Sequence, residues 1–103
     1  MALLHADTIF AIATPPGMSA IAVIRISGDK ALQVPHLFGV GAGATRTAKR
    51  VFLKDDHGTI IDDVIVLGFA APASATGEDV LEIHCHGSVA VIDDILKVLA
   101  KTE

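Results

Sequence analysis

The chain has 103 residues, 51% hydrophobic and 19% charged, which is one domain's worth of foldable sequence and excludes a disordered chain. Eight Lys and Arg against twelve Asp and Glu leave a formal charge of −4 with no basic run, a poor basis for binding nucleic acid directly. The length is too small for a nucleotide-hydrolysing domain, and no apolar run approaches the ~20 residues of a membrane span. The lone Cys85 excludes an internal disulfide framework and fits a reducing compartment. Met1 to Asp7 has neither a basic n-region nor a signal-like apolar stretch, so a soluble, cytoplasmic protein is expected. With four Phe and no Trp or Tyr, the core must be built from Ile, Val, Leu and Ala.

Asp7 to Ala13 reads as a short buried strand, stopped by Thr14-Pro15-Pro16-Gly17. Ala20 to Ile26 is a second strand: Ala22, Ile24 and Ile26 share one face, Ile21, Val23 and Arg25 the other. Two apolar faces place it near the centre of a sheet. Ser27 and Gly28 open a short helix that Ser27 or Asp29 can cap, with Ala31, Leu32, Val34 and Leu37 available to face the sheet and Pro35 arguing for a break. Gly39 to Gly43 is a flexible turn. Thr47 to Asp55 and Thr59 to Phe69 are two long strands around the hairpin signal Asp56-His57-Gly58. Ala70 to Gly77 is a loop, and Asp79 to His86 is a fifth strand. A last helix runs roughly from Ser88 to Lys101, with Val91, Ile92, Ile95, Leu96 and Leu99 as its apolar stripe. The expected fold class is therefore α/β (α+β), a mixed sheet of about five strands with two helices in a single domain spanning residues 1–103.

The chemistry concentrates in Glu82-Ile83-His84-Cys85-His86. Strand alternation puts Leu81, Ile83 and Cys85 on one face and aligns Glu82, His84 and His86 on the other, in steps of about 7 Å. A carboxylate and two imidazoles in a row suit a solvated strand face, a polar heterocycle or a metal ion. A metal would need further ligands, for which His5, His36 and His57 are the candidates. Arg25 stands inside an apolar strand, so it must be ion-paired or serve as a planar donor fork at a functional surface; Glu82 is its natural partner either way. Cys85 points to the apolar face as a packed thiol, and Ser88 reads as a plain helix N-cap. The glycines at 39, 41 and 43 are not a phosphate loop, since they follow a helix and no Gly-Lys-Ser/Thr comes after them. No nucleophile has an evident base and orienting group, so no catalytic residue is expected in this chain.

Five ordered blocks resemble a known family: Asp7-Thr8-Ile9, Ala13-Thr14-Pro15-Pro16-Gly17, Ala20 to Gly28, Thr76-Gly77-Glu78-Asp79-Val80, and Glu82-Ile83-His84-Cys85-His86-Gly87. Together they look like the N-terminal domain of the tRNA-modification GTPase family TrmE (MnmE). The resemblance implies an α/β folate-binding module, half of the double-sized folate fold that the dimer rebuilds. It implies a homodimer that binds a 5-formyl-tetrahydrofolate-type one-carbon donor. It further implies that the full-length protein modifies tRNA wobble uridines with an FAD-using partner of the GidA (MnmG) type. Carried over by motif, the folate contacts are Arg25 and Glu82, together with a lysine beyond the last helix. The sequence departs from the pattern at Met18, where the family usually has Arg, at Ser19 and Ser88 in place of Gly, and at Ala75 in place of an aromatic. Neither a P-loop nor a helical domain is present in these residues. Two rival expectations stand beside folate binding: an interaction module that no longer binds folate, and a metal site at Glu82, His84 and His86.

Overall fold

In the computed structural model, residues 2–5, 8–12, 20–41 and 43–101 are described. Six strands form one sheet: β1 (Ala2–His5), β2 (Thr8–Ile12), β3 (Ile21–Ser27), β4 (Lys49–Lys54), β5 (Ile60–Phe69) and β6 (Val80–His86). Their spatial order is β1-β2-β3-β6-β5-β4, with every neighbouring pair antiparallel. The expected class of a sheet with two helices is thus present. It differs in detail, because pairing is antiparallel throughout where a mixed sheet was expected, and a sixth strand, β1, extends the edge. As anticipated, β3 is central; it lies beside β6, so the two motif-bearing strands are hydrogen-bonded neighbours although 57 residues separate Arg25 from Glu82.

Alternation along the strands determines the layers. Ala22, Ile24 and Ile26 of β3, Leu81, Ile83 and Cys85 of β6, and Val64 and Val66 of β5 are buried on one face. Both helices cover that face. α1 (Val89–Ala100) packs Ile95, Val98 and Leu99 into the core, with Val91, Ile92 and Leu96 half-buried around them. Asp93, Asp94 and Lys97 stay exposed, as the stripe predicted. Ser88 caps the helix: its Oγ accepts from the Val91 N–H at 3.4 Å. Its φ of −88° is ordinary, so the serine where the family has glycine creates no strain here.

The segment after β3 corrects the sequence reading. Ala31–Phe38 is a 3-10 helix that runs through Pro35, and the buried positions are Ala31, Val34, Pro35 and Phe38, with Leu37 left exposed. A threefold repeat eclipses side chains every three residues, so the buried stripe differs from that of an α-helix. Neither Ser27 nor Asp29 caps it. Instead Thr8, fully buried on β2, accepts from the Lys30 N–H at 3.1 Å and fixes the helix entry. Gly39, at φ +73°, closes the segment in the left-handed region that glycine enters without penalty. The hairpin between β4 and β5 is built as expected: Asp55 Oδ1 accepts from the His57 and Thr59 N–H groups at 2.9 and 3.0 Å, and Gly58 takes φ +78°. The turn at Thr14 to Gly17 and the departures at Met18 and Ser19 lie outside the described residues.

Candidate functional site

No described helix covers the second face of the sheet; the 70–79 loop folds over one end of it, burying Ser27 and Val80. Arg25 of β3 stands opposite Glu82 of β6 in the ladder, and Val23 stands opposite His84. Both outward rows project into that helix-free face, which is why a charged residue sits inside an otherwise apolar strand. Arg25 donates to Glu82 Oε2 from Nε at 3.1 Å and from Nη2 at 2.7 Å. His84 Nε2 lies 3.0 Å from Glu82 Oε1. Burial raises the Glu82 pKa, but the hydrogen bonds and charges of Arg25 and His84 outweigh it and hold the carboxyl below its ordinary value. Glu82 is therefore ionised at neutral pH, with its side chain 15% exposed against 39% for Arg25.

The pair retains binding capacity. A guanidinium carries five N–H donors and Arg25 commits only Nε–H and one Nη2–H to Glu82. A carboxylate accepts about four bonds, so Oε1 keeps a lone-pair direction beyond the one facing His84. A donor fork beside an anionic acceptor matches a planar heterocycle that offers a carbonyl next to N–H groups.

His86 parts from the row. Its Nδ1 lies 2.9 Å from Asp62 Oδ1, and its backbone N–H donates to Asp62 Oδ2 at 2.9 Å. Glu82 and His84 touch each other while His86 turns to a different carboxylate. Among the described residues no group of three His, Cys, Asp or Glu side chains is arranged to hold a metal ion. His36 and His57 lie elsewhere in the fold, on the 3-10 helix and in the β4–β5 turn, and the side chain of His5 lies outside the described residues. Cys85 is buried as expected, its thiol directed to the Ala22 carbonyl at 3.6 Å; burial first, then the Asp62 charge, pushes its pKa up to about 11.

Two hollows flank the site. One, of about 490 Å³, is bounded by Glu82 and Val80 of β6, Phe69 of β5, Arg46, and the 70–79 loop at Pro72 and Ala75. The other, of about 410 Å³, lies beyond His84 and includes Ile21, Ile65, His86 and the Arg50–Asp63 ion pair. The loop is held from within: Asp79 Oδ1 accepts from the Ala71 N–H at 2.8 Å, and Gly77 turns at φ +79°. It is also held from outside, because Ser27 Oγ lies 2.7 Å from Thr76 Oγ1 and donates to Glu78 Oε2 at 3.3 Å. Thus Thr76-Gly77-Glu78-Asp79 is a clasp that ties the 70–79 loop to β3. Sequence reasoning missed Phe69, Arg46 and Ser27 as parts of this site. Alternation from Leu67 could have put Phe69 on the Glu82 face; nothing local marks Arg46.

The family described as "GTP-binding protein TrmE N-terminus" matches residues 8–103. A tRNA modification GTPase MnmE of Ehrlichia canis is 50% identical over 96 residues, covering 92% of this chain and 22% of that protein. Those of Bradyrhizobium sp. and Fervidobacterium nodosum are 46% and 39% identical, covering 95% of this chain in both cases. The chain thus spans about a fifth of the length of these relatives.

Proposed function

The chain belongs to the TrmE N-terminal family, and from that premise we propose that it is the folate-binding, self-pairing domain of a tRNA-modifying GTPase. Its ligand is a 5-formyl-tetrahydrofolate or a related one-carbon folate. Arg25 and Glu82 hold the pterin: the free guanidinium N–H groups donate to its carbonyl edge, and the remaining lone pair of Glu82 Oε1 accepts from one of its N–H groups. The observation that carries this reading is the cross-strand Arg25–Glu82 pair, ionised and open on a helix-free sheet face beside a hollow of about 490 Å³. The domain performs no chemistry; it delivers the folate to a site completed elsewhere in the assembly.

Pairing of two copies fits the same face and rebuilds the double-sized folate fold. Ile21 and Phe52 are each 49% exposed and Ile65 37%, an apolar row that a second copy would cover. In the longer protein, a GTPase segment, a GidA-type FAD partner and tRNA complete the modification of the wobble uridine in the cytoplasm. In this chain no described helix is long and apolar enough to cross a membrane.

Calorimetry with 5-formyl-tetrahydrofolate tests the folate reading. Binding by the wild-type chain and its loss in Glu82→Ala are expected. Absence of binding by the wild type, alongside a dimer in light scattering, would favour the interaction module without folate. Ala75 at the lip, where a ring would otherwise stack, is the observation on that side.

A further inference from the structure

We propose that Arg46 and Phe69 form a second subsite that takes the anionic tail of the ligand, an inference that rests on the folate reading above. The hollow beside Glu82 has an unlike lining. It carries both the Glu82 carboxylate and the Arg46 guanidinium, together with Phe69, Val80 and Pro72. In the β5–β6 ladder Leu67 faces Glu82 and Phe69 faces Val80, so Phe69 lies one outward step of about 7 Å along the strand from the acid. Arg46 Cζ sits 5.6 Å from the Phe69 ring centroid, so the ring touches the cation while the acid lies a step away along the sheet. The order acceptor, apolar aromatic floor, cation complements a ligand with an N–H-bearing head, an aromatic middle and a carboxylate tail. A reduced folate with its p-aminobenzoyl-glutamate tail has that order; a bare pterin has only the head.

Arg46 is placed rather than loose. Its backbone N–H donates to the Gly68 carbonyl at 2.7 Å, and its Nη2 donates to the Ala73 carbonyl at 2.7 Å. It adopts φ +59°, a left-handed conformation that a non-glycine residue enters only at an energetic penalty. So β5 holds its backbone, the 70–79 loop holds one arm of its fork, and an aromatic ring lies beneath it. No carboxylate pairs with it among the described residues, whereas Arg25 and Arg50 are each bonded to one. Its other N–H donors remain for a carboxylate, and a bidentate fork suits that geometry.

The test compares 5-formyl-tetrahydrofolate with the same molecule whose two tail carboxyls are amidated, by calorimetry on the whole chain. The wild type is expected to prefer the acid by about tenfold, and more strongly at 50 mM than at 500 mM salt. Arg46→Gln is expected to abolish that preference, and Arg46→Lys to keep part of it. Phe69→Leu should weaken both ligands while leaving the preference intact. Equal affinity of the wild type for acid and amide overturns the subsite while leaving the Glu82 reading standing, and it needs no variant that must fold. An Arg46→Gln chain of unchanged melting temperature that still prefers the acid overturns it as well. Failure of the wild type to bind either molecule refutes the folate reading itself.

Discussion

Replacing Glu82 by Gln keeps the shape of the side chain and removes its charge. The amide oxygen can still accept from Arg25, and the amide NH2 can still meet His84 if the imidazole turns its acceptor nitrogen to it. What disappears is the charge assistance of the two Arg25 bonds, now 3.1 and 2.7 Å long. Net contributions of about 1.5–3 kcal/mol for a charged hydrogen bond against about 1 for a neutral one give a nominal loss of about 1–4 kcal/mol for the pair. Arg25 is 39% exposed, so solvent screening brings the expected loss to about 1–1.5 kcal/mol at pH 7. For a domain of this size that is a fall in melting temperature of roughly 4–10 °C, measurable by circular dichroism. The pH dependence has a definite sign. The folded pKa of Glu82 lies below its ordinary 4.5, so the carboxylate stabilises the fold fully above that value. The contribution is lost as pH falls through the lowered folded pKa. Wild type and Glu82→Gln should therefore differ at pH 7 and draw together as the pH falls below 4.5 and through the lowered folded pKa. Melting temperatures within about 2 °C of each other at pH 7, or a gap that persists on acidification, would refute the reasoning.

Three further outcomes are expected. Ser27→Ala should cost about 1 kcal/mol or less, because its hydroxyl partners at Thr76 and Glu78 are exposed and turn to water, yet hydrogen exchange of the Ala71 amide should accelerate as the loop loosens; unchanged exchange counts against the clasp. Phe38→Ala, at a fully buried position between the 3-10 helix and the sheet, should cost about 3–5 kcal/mol, read from the urea midpoint, and a shift under about 1 kcal/mol would show that the site is not packed as described. Cys85, with its pKa raised from 9.0 to about 11, has about a hundredfold less thiolate at pH 8 than an ordinary thiol, so iodoacetamide should label it only after denaturation. Because that pKa is raised, stability should hold below pH 9 and decline as pH climbs towards 11.

The site was legible to different degrees, for reasons that particular residues make clear. Arg25 and Glu82 stood out because each is a charge in an apolar strand, and period-two alternation alone assigns them to the same kind of face. The sheet then pairs them directly. His86 was grouped with Glu82 and His84 by the same alternation, but at the strand end Asp62 reaches it and draws it away. Ser27 was read as a helix cap because it precedes a helix; the structure uses its hydroxyl across the chain, on Thr76 and Glu78. Pro35 argues for a break in an α-helix, and a 3-10 helix accommodates it.

Local pattern by itself marked most of the strands and which face of each is apolar, since alternation and turn chemistry act over a few residues and leave their mark in neighbouring letters. It also determined that Cys85 is a packed thiol and that Arg25 needs an acid. Tertiary structure alone decided that the strand order is β1-β2-β3-β6-β5-β4, that both helices settle on one face, and that Arg46 and Phe69 come to share a hollow with Glu82. Those outcomes depend on contacts between residues far apart in the chain. Long-range partners are selected by the burial of whole faces and the closure of a whole sheet, quantities that no local stretch of sequence contains.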